Sequence, residues 1–290
     1  MEKTAIVTDS VSCINPELAK QFEITVVPTA SIISGGEVYL EYKNLTMKEA
    51  YRMIRADGFS TSAVTPGEVL SVFKEIREKT SKILFVSLSS KLSAVFKSAC
   101  AAAELLRDSA AGTDVRVIDT RNAAGGEGLI AVTAARASAE GKSIDQIEKI
   151  VRQAMEVTGG FATVDTLRYV YRTGRISKFS ARMISLFNVK SINRITPEGE
   201  LVLVDKAFSR KACIQKAVSH IRQAVKDVPH RFMINHADAP EIADYFIGLI
   251  KHEFKVIDDI LVSDFSPIMG HATGPGAAFV GYQPEIDFDV

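Results

Sequence analysis

Short apolar runs alternate along the chain with longer stretches whose apolar residues recur every three or four positions. Residues 4–7 form a β-branched run that stops at Thr8-Asp9-Ser10, and 24–33 read as a second strand, turned by Ser34-Gly35-Gly36. Thr46 opens a predicted helix reaching about residue 57, with Glu49 completing a capping box. Pro66 falls in the first turn of the next helix, and Val69, Val72, Phe73 and Ile76 form its buried stripe. Residues 83–86 and 115–118 read as short buried strands; 92–106, 123–139 and 143–157 read as helices. This alternation predicts an α/β fold whose first part is a largely parallel sheet flanked by helices.

Thr158-Gly159-Gly160 breaks the pattern, and a new strand starts at Phe161. We therefore expect two α/β domains, residues 1–159 and 160–290. In the second, 165–172 and 177–187 look helical, and strands at 192–195 and 201–205 flank the turn Pro197-Glu198-Gly199. A long helix covers 209–225, and 232–234, 241–254 and 257–262 add strand, helix and strand. Residues 270–276 read as a glycine-rich loop before a last strand at 277–282, and no internal repeat is visible.

Composition narrows the function classes. Hydrophobic residues make up 47% of the 290, so cores form without staples. Lys+Arg and Asp+Glu both number 35, and a formal net charge of +0 removes any global electrostatic footprint for nucleic acid. Three scattered cysteines, Cys13, Cys100 and Cys213, speak against a disulfide framework or a zinc site, so no metal is expected. No signal-like segment opens the chain, and no apolar stretch approaches the ~18 residues of a membrane span. A soluble, cytoplasmic protein is expected.

Small hydroxyl residues gather where predicted strands end. Thr8-Asp9-Ser10 follows the first strand, and Ser87, Ser89, Ser90 and Ser93 lie between a strand and a helix. In an open parallel sheet, ligands bind outside the carboxyl ends of the strands. Hydroxyls and free amides there suit an anionic headgroup, with Ser93 read as an N-terminal helix residue facing it. The same residues also serve as ordinary helix caps. His271, inside Gly270-His-Ala-Thr-Gly-Pro-Gly276, can donate to a carboxylate or act as a general base. A serine, His271 and Asp9 or Asp119 spell a Ser/His/Asp hydrolase on paper, which requires a geometry that sequence does not supply. Gly-x-Ser-x-Gly, a phosphate loop and His-Glu-x-x-His are all absent. Arg168, Arg172 and Arg175, followed by Lys178 and Arg182, recur at helical spacing, either as a solvated face or as a docking surface for an acidic partner or anionic lipid.

Taken in order, six fragments resemble the DegV family of bacterial fatty-acid-binding proteins. They are Thr8-Asp9-Ser10, Ser60-Thr61-Ser62-Ala63-Val64-Thr65-Pro66, Ser87 to Ser93, Val117-Ile118-Asp119-Thr120, Thr173-Gly174-Arg175-Ile176 and His271-Ala272-Thr273-Gly274-Pro275-Gly276. The chain departs from the family pattern at Val64, at Ala94-Val95-Phe96 and at Thr173. The resemblance implies a long-chain fatty acid of the C16–C18 class clamped between the two domains, its tail buried in the first. It also implies that Thr61 or Ser62, Ser93 and His271 hold the carboxylate, with Asp9, Ser10, Asp119, Thr120, Thr273 and Gly274 on nearby loops. In such proteins the acid is presented to a separate fatty acid kinase, so the chain itself is expected not to be an enzyme. Arg168, Arg172 and Arg175 are then candidates for docking the kinase or for transient contact with an anionic membrane.

Overall fold

The structure is a computed structural model; it describes residues 2–56, 58–174 and 189–289. The predicted helix over 177–187, with Arg175, Lys178 and Arg182, lies outside the described residues.

The chain enters as strand β1 (Ala5–Asp9), a 3-10 turn (Ser10–Ser12), helix α1 (Pro16–Phe22) and strand β2 (Ile24–Val27). Strands β3 (Ala30–Ser34) and β4 (Glu37–Leu40), helix α2 (Met47–Arg55), strand β5 (Ser60–Ala63) and helix α3 (Pro66–Arg77) follow. Next come β6 (Lys82–Ser87), α4 (Val95–Ser109), β7 (Asp114–Asp119), α5 (Ala124–Ala139) and α6 (Ile144–Val157). Strands β1, β2, β6 and β7 make a parallel sheet in the order β2-β1-β6-β7, and β4-β3-β5 make a separate antiparallel sheet.

From Gly159 onward the elements are β8 (Gly159–Val164), α7 (Arg168–Thr173), β9 (Lys190–Ile195), β10 (Leu201–Ala207), α8 (Arg210–Ala224) and β11 (His230–His236). The described chain closes with α9 (Pro240–Glu253), β12 (Leu261–Asp264), α10 (Pro267–Thr273) and β13 (Ala278–Pro284). Six strands form a second large sheet, β10-β9-β8-β13-β11-β12, in which only β11 and β12 run parallel. The fold is thus mixed α/β, as expected.

Helix α5 joins the two large sheets. It packs on β1 and on β11 and β13, and every residue of it except Arg136 and Ala139 is buried. A Cβ on Gly125 would fall 2.6 Å from the Met233 carbonyl, and one on Gly281 would fall 2.4 Å from the Gly125 backbone. Glycine on both sides therefore lets helix and strand backbones touch, which explains Gly125-Gly126-Glu127-Gly128 without any nucleotide.

The expected capping box at Thr46 is present and Pro66 is the first residue of α3; Thr65 and Ser143 close capping boxes as well. Four expectations need correction. The run 24–33 is two strands in two different sheets, broken at Pro28, which has no N–H to continue a ladder. Residues 60–63, which the family resemblance implies are a loop, form β5. Gly270 to Thr273, also taken as loop, are the last turn of α10, started by Ser266 as cap and Pro267 at its first position. The strand assigned to 257–262 begins only at Leu261.

Candidate functional site

A cavity of about 400 Å³ lies between the parallel sheet, β5, the six-stranded sheet and α10. That size is within the ~300–1,000 Å³ of small-molecule sites. Its lining is mostly aliphatic and aromatic, and both parts of the chain contribute: Leu88, Leu92 and Ala123 from the first, Val164, Phe265 and Phe279 from the second. Among the described residues, no Asp, Glu, Lys or Arg lines it. The polar groups on the wall are hydroxyls of Thr29, Thr61, Ser93, Thr173 and Thr273, and the imidazole of His271. Thr61 is exposed, and Ser93 and His271 are half-buried, whereas Phe265, Ala277 and Phe279 are at most 2% exposed. Thr61, Ser93 and His271 are therefore polar groups of the wall that water can reach, and much of the apolar wall is shut off from it.

Strand alternation puts Thr61 and Ser62 on opposite faces of β5. Successive side chains of β5 point to opposite faces. Thr61 and Ala63 line the cavity together with Ala30, the register partner of Ala63; Ser62 pairs with Ser31 and turns away. Ser93 stands two residues ahead of α4 rather than inside it, its Oγ accepting the Val95 amide at 3.3 Å. His271 rides on α10, stacked on Phe59 with centroids 4.7 Å apart. Its Nδ1 lies 3.4 Å from an Arg172 guanidinium nitrogen. A guanidinium only donates, so Nδ1 accepts and Nε2 carries the ring proton. A positive charge thus stands behind the imidazole, one residue removed from the cavity.

The other predicted residues have structural duties. Asp119 accepts the Ser90 and Arg121 amides, and the Thr120 hydroxyl donates to the Ser87 carbonyl at 2.7 Å. Thr273 lines the cavity while its hydroxyl donates to the Met269 carbonyl. Gly274 ends α10 at φ +84°, where a Cβ would strike the Tyr169 ring at 2.3 Å. Asp9 is fully buried and accepts from the Val11 amide, the Leu88 amide and the Thr29 hydroxyl at 2.9–3.1 Å. Burial raises its carboxyl to about 6 against those hydrogen bonds. The Ser10 hydroxyl donates to Glu41, which is also fully buried and is raised by burial to about 7. Burial, then the charge of Asp9, pushes Glu127 well above the usual carboxylate range. None of these acids lines the cavity, and neither Asp9 nor Asp119 orients His271, so the hydrolase triad is not assembled. Arg168 and Arg172 both lie on α7, whose Val170 and Thr173 reach the cavity wall.

Sequence reasoning missed Thr29 and Glu41. A threonine after Pro28, at a break between two strand-like halves, was an available signal for the first. Among the described residues, no group of three or more His, Cys, Asp or Glu is placed to hold a metal ion, and no helix is long and apolar enough to cross a membrane.

Residues 3–285 match the family model for uncharacterised proteins of the DegV family. A DegV domain-containing protein of Caldanaerobacter subterraneus subsp. tengcongensis is 30% identical over 285 residues, 98% of this chain and 99% of the relative. The fatty-acid-binding DegV family protein of Thermus thermophilus has a similar structure, with TM-score 0.88 and 22% identity over 98% of this chain and 100% of the other. A DegV family protein of Eubacterium eligens loaded with heptadecanoic acid gives TM-score 0.84 and 19% identity over 97% and 100%.

Proposed function

The chain belongs to the DegV family, and from that premise we propose that it binds one long-chain fatty acid of the C16–C18 class. The carboxylate sits at Thr61, Ser93 and His271, and the tail fills the apolar end between the two parts of the chain. One observation carries this reading: among the described residues the cavity wall is mostly apolar and has no charged side chain, and it carries the uncharged donors Thr61, Ser93 and His271 where water can reach it. The E. eligens relative loaded with a C17 acid supports the ligand class.

The energetics agree. Burying a C16 tail at ~0.8 kcal/mol per methylene yields on the order of 10 kcal/mol before ordering costs. Hydrogen bonds to a charged group add ~1.5–3 kcal/mol each. The tail sets affinity, and the hydroxyls with Nε2–H select an acid over an alcohol or ester, because a carboxylate offers only acceptors.

With its carboxylate at the open end, the protein acts as a carrier that presents the acid to a separate fatty acid kinase. There a carboxylate oxygen attacks the γ-phosphorus of ATP, ADP leaves, and an acyl phosphate forms. Arg168 and Arg172, on the helix beside His271, supply a cationic surface for that kinase and for brief contact with an anionic membrane. Arg175 belongs to the same proposed surface. A cytoplasmic location fits a carrier serving an ATP-dependent partner.

Denaturing extraction of purified protein followed by mass spectrometry is expected to release a C16–C18 acid, and delipidated protein to bind oleate stoichiometrically. Lipid-free protein that ignores oleate and palmitate sinks the reading. Turnover of acyl esters by the isolated chain would instead make it a hydrolase.

A further inference from the structure

Glu41 is 1% exposed, and among the described residues no lysine, arginine or histidine forms an ion pair with it. A carboxylate in such a place needs a reason, because its burial opposes charge. Its hydrogen bonds provide one. Oε2 accepts from the Ser10 hydroxyl, and Oε1 accepts the Ile268 amide at 2.9 Å. Ser10 Oγ in turn accepts the Thr29 amide at 3.0 Å and lies 2.9 Å from Thr29 Oγ1. Thr29 is part of one cavity wall; Ile268 lies in the first turn of α10, the helix that brings Met269, His271 and Thr273 to another. Glu41 therefore stands behind the cavity with one oxygen on each wall.

The backbone is bent to put it there. Tyr42, the next residue, has φ +60°, a conformation that bulky side chains rarely adopt. Such strain persists only where the surroundings over-determine it, and it collects at functional sites. A carboxyl side chain offers one oxygen to each wall at once. A glutamine keeps one acceptor oxygen but turns its NH2 toward either the Ile268 amide or the Ser10 hydroxyl.

We propose that Glu41 is a positioning residue of the lipid site, fixing α10 and His271 relative to the Thr29 wall and so setting fatty acid affinity without touching the ligand. This inference rests on the cavity being the fatty acid site.

The test is a double-mutant cycle on the full, delipidated chain, titrated with oleate, using Glu41→Gln and His271→Ala. Glu41→Gln is expected to weaken oleate by about tenfold in the natural background but by less than about threefold on His271→Ala, since contacts in one network couple. A merely structural acid would lower thermal stability and leave the two effects additive. The Ile268 amide proton, followed by NMR, is expected to shift upfield and exchange faster in Glu41→Gln. Ser10→Ala, which removes the hydroxyl that joins Glu41 to Thr29 and keeps Glu41 itself, covers the case in which Glu41→Gln does not fold; it should weaken oleate by about threefold and couple to His271→Ala in the same way. If natural protein binds oleate while these variants bind it equally well or additively, the role of Glu41 is overturned and the carrier reading stands. If natural protein binds no oleate, both fall.

Discussion

Two polar regions lie on either side of one cavity wall, and they are built oppositely. In front, Thr61, Ser93 and His271 are exposed or half-buried, carry no fixed negative charge, and reach the space a ligand would fill. Behind, Asp9, Glu41 and Glu127 are fully buried, are acidic, and contact the cavity only through neighbours such as Thr29, Leu88 and Ile268. Water can replace a lost contact in the first region but not in the second. The first should thus govern affinity with little effect on stability, and the second should govern stability, with Glu41 acting on affinity only through the placing of α10.

The largest expected effect tests the rear region. Asp9→Ala leaves the Val11 amide, the Leu88 amide and the Thr29 hydroxyl without their acceptor inside the protein. At ~1–3 kcal/mol for each stranded donor, with partial relaxation, unfolding stability should fall by about 3–5 kcal/mol. Urea denaturation measures this, and a loss under about 1 kcal/mol would erase the distinction between the regions.

His271→Ala comes next and should do the reverse. Losing one hydrogen bond to a charged carboxylate, about 1.5–3 kcal/mol, predicts oleate binding weakened roughly 10–100-fold. The melting temperature should move little, since the ring lies half-buried against Phe59. Calorimetric titration and a melting curve on the same sample separate the two readouts.

The regions also differ in how much of them could be read from sequence. Capping boxes at Thr46, Thr65 and Ser143 and the proline start of α3 are local, so residue types three or four apart reveal them. The front region was approachable for a similar reason: Thr61, Ser93 and His271 sit in short motifs whose order along the chain is distinctive. Ser266 and Pro267 were enough to place a helix start ahead of His271, yet three glycines nearby argued for a loop. The rear region depends on tertiary partners. Glu41 meets Ser10 31 residues away and Ile268 227 residues away, and no window of sequence joins them. The split of 24–33 between two sheets was hidden in the same way, since either half alone has a strand's pattern.

The rear region also responds to pH. Asp9 and Glu41 titrate near 6 and 7 in the folded protein, above ordinary values of 3.8 and 4.5. The folded state thus holds their protons more tightly than the unfolded state does. Their contribution to stability is complete below about pH 4 and is lost as pH rises through 6 and 7. Unfolding measured from pH 5 to 8 should show declining stability from this source, and Glu41→Gln should flatten the upper part of the slope. A slope unchanged by that substitution would mean that Glu41 does not titrate there.

The smallest effect is the sharpest test of the front region, because it compares adjacent residues on one strand. Thr61 and Ser62 are both exposed hydroxyls on β5, and they differ only in the face they occupy. Thr61→Val keeps shape and removes the hydroxyl. Because Thr61 is open to water, the loss should be near the ~0.5–1.5 kcal/mol of an ordinary hydrogen bond, about two- to tenfold in oleate affinity. Ser62→Ala should change nothing measurable, since alternation aims it away from the cavity. Equal losses at both positions would mean that β5 shifts its register when lipid binds, because a one-residue slip is what exchanges the two faces. A loss at Ser62 alone would place the carboxylate on the other side of the strand and outside the cavity.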